Sequence, residues 1–338
     1  MPTISFVVPV NDEEEVLPEL HRRLDATSRE IEGECEFILV DDGSSDRSRE
    51  VMSELRARDE RVKLLFLARN FGHQLAISAG LDFASGDAVV ILDGDLQDPP
   101  EVALEMIPLW REGYGVVHAV RRERRGESRL KVWTARRFYR VLDRLADVEF
   151  PLDAGDFRLV DRGVADIVRD MREHDRYLRG MFAWVGFRQT TVAYDRDERF
   201  AGQTKYSWAK MISFAIDGIL SFSVAPLRFV LGLGFVISLV SLVVGLVAIA
   251  LKLAGQLPPV QGWASLTVLV TFLAGIQLIV LGTMGIYVAR AYEQGKHRPL
   301  YLIASAEGLE AGPSGPLRER RVLRSEREPA EPTLDPSQ

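Results

Sequence analysis

Two uncharged stretches constrain this chain more than any other feature of it. Residues 229–251 form a run of 23 without a charge, and residues 263–289 a run of 27, rich in Leu, Val, Ile and Phe. A helix needs about 20 apolar residues to cross a bilayer core. Both runs are long enough and apolar on every face, which argues against two buried helices of a large soluble domain. Joined by the turn at 255–262, they predict a transmembrane hairpin (229–290) with spans at about 229–252 and 263–289. Arg228 precedes the first span, and Arg290, Lys296 and Arg298 follow the second, while the turn has only Lys252 at its edge. The positive-inside rule then puts both chain ends in the cytoplasm. The N-terminal apolar run, 4–10, is too short for a signal peptide. The expectation is an integral, two-span protein whose residues 1–205 form a cytosolic domain.

That domain alternates short apolar runs with helical patterns. Strand-like runs lie at 4–10, 36–40, 63–67 and 88–92, with helix-like segments at 14–29, 46–58 and 74–83 between them. The rhythm predicts an α/β fold with a mostly parallel sheet and helices on both faces. In such sheets ligands bind beyond the carboxyl ends of the strands. Acid gathers there: Asp12 to Glu15 after the first run, Asp41, Asp42 and Asp46 after the second, Asp93, Asp95 and Asp98 after the fourth. The whole chain has 42 basic and 49 acidic side chains, a net charge of −7, so no nucleic-acid partner is expected. A single cysteine, Cys35, excludes an internal disulfide framework.

Acidic clusters converging on one cleft repel unless positive charge sits among them. A divalent cation, Mg2+ or Mn2+, with bound phosphates is the natural occupant. Mg2+ takes one or two carboxylates and completes its shell with phosphate oxygens and water. Asp93 and Asp95 suit this role. Alternate strand residues face opposite ways, so both reach one ion only where the strand ends and bends, and Gly94 permits that bend. Asp46 and Asp98 read equally well as turn formers or helix caps. His73 reads either as a substrate contact or as a surface or capping histidine.

Taken in order, the strings FVVPVNDEEE, ILVDDGSSD, ARNFGHQLAISAGLDFASGD, ILDGDLQDPP, GDFRLVDR, YLRGMFAWVGF and RFAGQTKYS resemble the family 2 glycosyltransferases of GT-A fold. With the terminal hairpin, the likeness narrows to the polyprenyl-phosphate glycosyltransferases, the group of bactoprenol glucosyltransferase and dolichol-phosphate mannose synthase. It runs from about residue 4 to 298. The resemblance implies that Pro9, Val10, Glu13 and Asp42 hold the nucleoside, with Asp42 near the base and Glu13 near the ribose. Asp93, Gly94, Asp95 and Gln97 would meet the donor diphosphate, and Asp93, Asp95 and Gln97 the metal. Asp156 matches the acidic residue near the acceptor that is often assigned as base. Arg199 and Lys205 match a basic pair that grips phosphate oxygens, joined by Arg122 and Arg179 at the acceptor or diphosphate. The implied catalytic set is Asp156, Asp95, Arg199 and Lys205. Two departures stand out: Gly94 where the family often has Ala, and Gln203-Thr204 where it often has Glu-Ser.

The implied reaction is an inverting, metal-dependent transfer of one sugar to a polyprenyl phosphate such as undecaprenyl phosphate. UDP-glucose is the first donor and GDP-mannose the second. A phosphate monoester's second ionisation lies near pH ~6, so the acceptor is already a dianion, and Asp156 is expected to orient groups more than to abstract a proton. Residues 121–144 carry ten Lys/Arg against three acids, a stretch suited to anionic lipid or to the acceptor phosphate. Residues 206–228 read as interfacial helix, 291–306 as a cytosolic segment and 307–338 as a disordered tail. A homo-oligomer, as large as a tetramer, is expected from the family.

Three rival readings are weaker. An inactive membrane-anchored nucleotide-binding scaffold would not need Asp93, Asp95, Gln97, Asp156, Arg199 and Lys205 together. A haloacid dehalogenase phosphatase carries its Asp pair near the chain start, followed by Thr or Val, not by Leu96. A processive polysaccharide synthase carries more spans and a Gln-x-x-Arg-Trp motif, and no Arg-Trp pair occurs here.

Overall fold

The computed structural model describes residues 1–122, 154–174, 176–195, 225–254 and 262–309. Arg199, Lys205, residues 123–144 of the basic stretch, 206–224 of the expected interfacial helix and 310–338 of the expected tail lie outside the described residues. The chain divides into two compact units. Among the described residues, one holds the sheet and its helices and the other holds two long helices.

The first unit opens with β1 (Thr3–Val10), α1 (Leu17–Glu30), β2 (Glu34–Asp41), α2 (Ser48–Arg58), β3 (Val62–Leu67), α3 (His73–Phe83) and β4 (Ala88–Ile91). These strands are nearly all buried, as expected for parallel strands covered on both faces. Ile4, Phe6, Val8 and Val10 of β1 share a core with Leu17, Leu20 and Leu24 of α1 and Met52 of α2. On the opposite face, Gly80 of α3 lies so close to Val7 and Val40 that a Cβ there would meet the Val7 side chain at 2.3 Å. A 3-10 turn (Pro100–Val102) leads into α4 (Ala103–Arg111), followed by β5 (Val116–Arg121), β6 (Ala154–Asp161), α5 (Arg162–Asp170), α6 (Leu178–Trp184) and β7 (Gln189–Tyr194).

The eight-stranded sheet has the order β7-β5-β6-β4-β1-β2-β3-β8, with β8 at Ile303–Glu307. Pairing is parallel from β4 through β1 and β2 to β3. Strand β6 runs antiparallel to both β4 and β5, β7 pairs parallel with β5, and β8 pairs antiparallel with β3. The mostly parallel α/β fold is therefore as expected. Strand β8 falls in the segment expected to follow the membrane and ends on Glu307, the residue from which disorder was expected.

The second unit contains α7 (Ala225–Leu253) and α8 (Trp263–Gly295), of 29 and 33 residues. They cover the two uncharged runs and touch one another. Many of their large apolar side chains are exposed, among them Leu231, Phe235, Phe272 and Leu278. Two crossing segments were expected. Among the described residues one, Phe272–Gly295, is long and apolar enough to cross a membrane, with a mean hydropathy of 1.9; the apolar part of α7, Val230–Val244, is shorter.

Candidate active site

The strand order reverses between β1 and β4, so a crevice opens beyond their carboxyl ends. Pro9 and Val10 end β1 there, both buried. Just past β4, a Cβ on Gly94 would lie 2.9 Å from the Pro9 carbonyl oxygen. The absence of a side chain thus lets the Asp93–Asp95 turn close onto the end of β1. Strand β6 supplies the other wall. Its register sets Ile91 opposite Arg158, and continuing that pairing two residues past Ile91 and two residues back from Arg158 brings Asp93 level with Asp156.

A compact charge cluster results. His73 Nε2, at the start of α3, is 3.3 Å from Asp93 Oδ1 and 3.3 Å from Asp156 Oδ2. Arg179 of α6 meets Asp156 with two prongs, Nε to Oδ1 at 3.0 Å and Nη2 to Oδ2 at 3.3 Å. Gln74 Nε2 donates to Asp156 Oδ2 at 3.0 Å, and Arg158 Nη2 is 3.5 Å from Asp156 Oδ1. Arg158 is itself fully buried, stacked over the Phe182 ring at 4.9 Å, and donates to the Gly155 and Asp156 carbonyls.

Burial works against the Asp156 carboxylate, but Arg179, His73 and Arg158 together hold its pKa well below the usual carboxylate range. Burial also works against a charged His73, yet the bond to Asp156 and the charges of Asp93 and Asp156 push its pKa up to about 9. Asp93 moves the other way: desolvation, with Asp98, Asp156 and Asp95 nearby, raises its pKa against the pull of His73.

The expected nucleoside residues line the β1 and β2 ends. Both Asp42 carboxylate oxygens accept backbone N–H groups, from Phe71 at 2.7 Å and Gly72 at 2.9 Å. Asp42 therefore secures the loop that delivers His73. Gly43, at φ +70°, sits where a Cβ would strike the Asn70 nitrogen at 2.5 Å, which keeps these two loops together. The Glu13 N–H donates to Ser48 Oγ at 2.9 Å. Asp46 Oδ1 accepts from the Ser48 N–H two residues on at 2.9 Å, the contact of a turn former, and the N-cap position of α2 is held by Arg47. Asp98 is buried and accepts a hydrogen bond from the Tyr194 hydroxyl. Arg122, just past β5, is exposed and 3.5 Å from the exposed Asp195.

Whether a divalent cation suits this crevice can be judged from its donors. Among the described residues Asp93 Oδ1 is buried and accepts no hydrogen bond, with His73 Nε2 at ion-pair distance beside it. Asp95 turns back on itself to accept the Gln97 N–H at 3.1 Å, which keeps the three residues in one tight turn. Among the described residues no three His, Cys, Asp or Glu gather into a protein-only metal cage. An ion held by one or two carboxylates and completed by substrate phosphates fits these donors. Arg158, Gln74 and the Asp98–Tyr194 bond escaped sequence reading. Arg158 and Gln74 belong to no acidic cluster; Gln74 and Asp98 act through partners far away in the chain, and Arg158 through carbonyls of its own strand and the Phe182 ring.

Residues 5–168 match the family model described as glycosyl transferase family 2. The glycosyltransferase YkcC of Bacillus subtilis (strain 168) is 45% identical over 306 residues, spanning 90% of this chain and 94% of that protein. The bactoprenol glucosyl transferase of Shigella phage SfV is 38% identical over 301 residues, spanning 89% of this chain and 97% of its own. A solved glucosyl-3-phosphoglycerate synthase from Mycobacterium tuberculosis is 22% identical, with a TM-score of 0.43 over 65% of this chain and 79% of that one. Identity at this level along nearly the whole chain makes the conclusion direct: the protein belongs to glycosyl transferase family 2, as a glycosyltransferase that stands among relatives named bactoprenol glucosyl transferase.

Proposed function

We propose that this glycosyltransferase moves one sugar from a nucleotide sugar, UDP-glucose in the first instance, to the phosphate of a polyprenyl phosphate such as undecaprenyl phosphate, inverting the sugar's configuration. The relatives named bactoprenol glucosyl transferase support the acceptor and the glucosyl group. The observation that carries the chemistry is the meeting of Asp93 and Asp156 across β4 and β6, with His73 and Arg179 beside them. In this reading an acceptor phosphate oxygen bonds to the anomeric carbon as the bond to the donor diphosphate oxygen breaks. Asp93, Asp95 and Gln97 would hold Mg2+ or Mn2+, which when bound neutralises charge on the leaving diphosphate. His73 and Arg179 add fixed positive charge where negative charge develops, with Arg199 and Lys205 in the same role by resemblance.

Asp156 is poorly matched to proton abstraction. A general base works best with a pKa near the working pH, and Asp156 is held far lower. The acceptor dianion supplies its own nucleophilic charge, its second ionisation lying near pH ~6. Asp156 therefore serves to orient Arg179 and His73.

The same reading puts the enzyme in a bacterial membrane, with α7 and α8 as a two-span hairpin and both chain ends cytoplasmic. Support comes from helix length: at about 1.5 Å per residue, both helices outreach a hydrocarbon core of about 30 Å. The exposed apolar side chains and the flanking Arg290, Lys296 and Arg298 agree with it. Assembly into a homo-oligomer up to a tetramer belongs to this proposal and is read from the mass of the detergent-solubilised enzyme.

The test is transfer by the purified full-length protein to undecaprenyl phosphate from a panel of UDP- and GDP-sugars. The expected product is glucosyl phosphoryl lipid of inverted anomeric configuration, formed only with Mg2+ or Mn2+ present. Preference for GDP-mannose would replace the donor, and nucleotide release without any glycosylated lipid would overturn the reading.

A further inference from the structure

Gln74 lies in a string that carries the family resemblance but has no role read from it, yet it holds the site together from a central position. Its Nε2 donates to Asp156 Oδ2 at 3.0 Å, and its Oε1 accepts the backbone N–H of Leu178 at 3.0 Å. Leu178 is the first residue of α6, and the next residue, Arg179, grips Asp156 with both prongs of its guanidinium. One amide thus spans the two chain segments whose relative placement decides whether that pair forms. We infer that Gln74 is a positioning residue for the transfer step, setting Arg179 against Asp156 so that its charge is aimed at the transferring group.

The residue type follows from the contacts. The site needs a neutral side chain with a donor at one corner and an acceptor at the other, which only a primary amide supplies in fixed geometry. An ionised Glu would keep the acceptor for Leu178 but turn a second carboxylate toward Asp156. Helix α3 is also fastened to the same stretch at its far end. Asp82 there pairs with Arg172 at 2.9 and 3.2 Å and accepts from the Tyr301 hydroxyl at 2.6 Å. With α3 anchored at Asp82, the amide at its other end works from a fixed base.

This inference rests on the reading that Arg179 and Asp156 serve the transfer, and the experiment separates the two. Gln74→Met keeps the volume and removes both polar contacts; Gln74→Glu removes only the donor. Both should lower kcat about tenfold or more, since small misplacements of aligned groups are costly. The donor KM and the melting temperature should stay close to the parent values. Arg179→Met should be slow as well, and adding Gln74→Met to it should cost little more, because the two act through one contact. A Gln74→Met enzyme at full kcat, or losses that multiply in the double variant, would overturn the inference alone. Full activity of Arg179→Met would overturn the site reading and the inference together. A merely structural role would instead lower the melting temperature and donor binding along with kcat, in both backgrounds.

Discussion

The parallel and antiparallel parts of this one sheet reach the same crevice by opposite routes. In β1, β2 and β4 the candidate residues close or follow the strand: Pro9 and Val10 close β1, Asp42 trails β2, and Asp93 trails β4. In β6 the order is reversed, and Asp156 is the third residue of the strand, ahead of most of it. A carboxylate that enters on an antiparallel strand must precede its apolar run to stand at the same end. The parallel part therefore gathers the proposed donor residues from three strand ends, each in the few residues that close or follow its strand. The antiparallel part brings in Asp156 and, through α6, Arg179 from a distant stretch.

The strongest way to break this comparison is at the parallel end. Asp93→Asn, or chelation of divalent cations, should cut transfer by about 10²–10³ or more, with recovery on adding Mg2+ or Mn2+ to the chelated parent enzyme only. Asp156→Asn comes next, at about tenfold to a hundredfold, because Arg179 and His73 lose their anchor. Turnover should remain measurable between about pH 6 and pH 9. If it vanished at every pH in that range with donor binding intact, Asp156 would be a base after all.

Asp82→Ala tests the seam between the parts. It removes the buried carboxylate that Arg169 and Arg172 share and should cost about 3 kcal/mol in a denaturant titration. Gly94→Ala should cost about 1–3 kcal/mol, because its Cβ meets the Pro9 carbonyl, and should raise the donor KM.

The smallest effect belongs to Asp59, remote from the crevice. Burial opposes its charge, but hydrogen bonds from Arg61 and His21 lower its pKa from 3.8 to about 2. Its contribution to stability is complete above the unfolded value and is lost as pH falls from about 4 to about 2. Asp59→Asn should flatten the acid unfolding profile in that window and leave transfer at neutral pH unchanged.

Legibility followed the same divide. Runs read at 4–10, 36–40, 63–67 and 88–92 became β1 to β4 with small shifts at their ends, since buried parallel strands are written as uninterrupted apolar residues. Strand β6 breaks that signal by burying Arg158 mid-strand. Strand β8, Ile-Ala-Ser-Ala-Glu, has too little apolar bulk to announce itself. The acidic turn at Asp93–Gln97 was visible because its residues are adjacent. Gln74 was not, because its meaning depends on Leu178, 104 residues further along.

Strand β8 also sets a condition on how the protein is made. Its partner β3 is synthesised early, but the residues that pair with Leu64 to Leu67 emerge only after both long helices. At about 5–20 residues per second, β3 waits on the order of ten seconds or longer with its outer edge unpaired. An open apolar strand edge is a template for wrong partners. Whatever guards the nascent chain must therefore shield β3 throughout the synthesis of α7 and α8, and a chain cut short before Ile303 would carry that exposed edge for its lifetime.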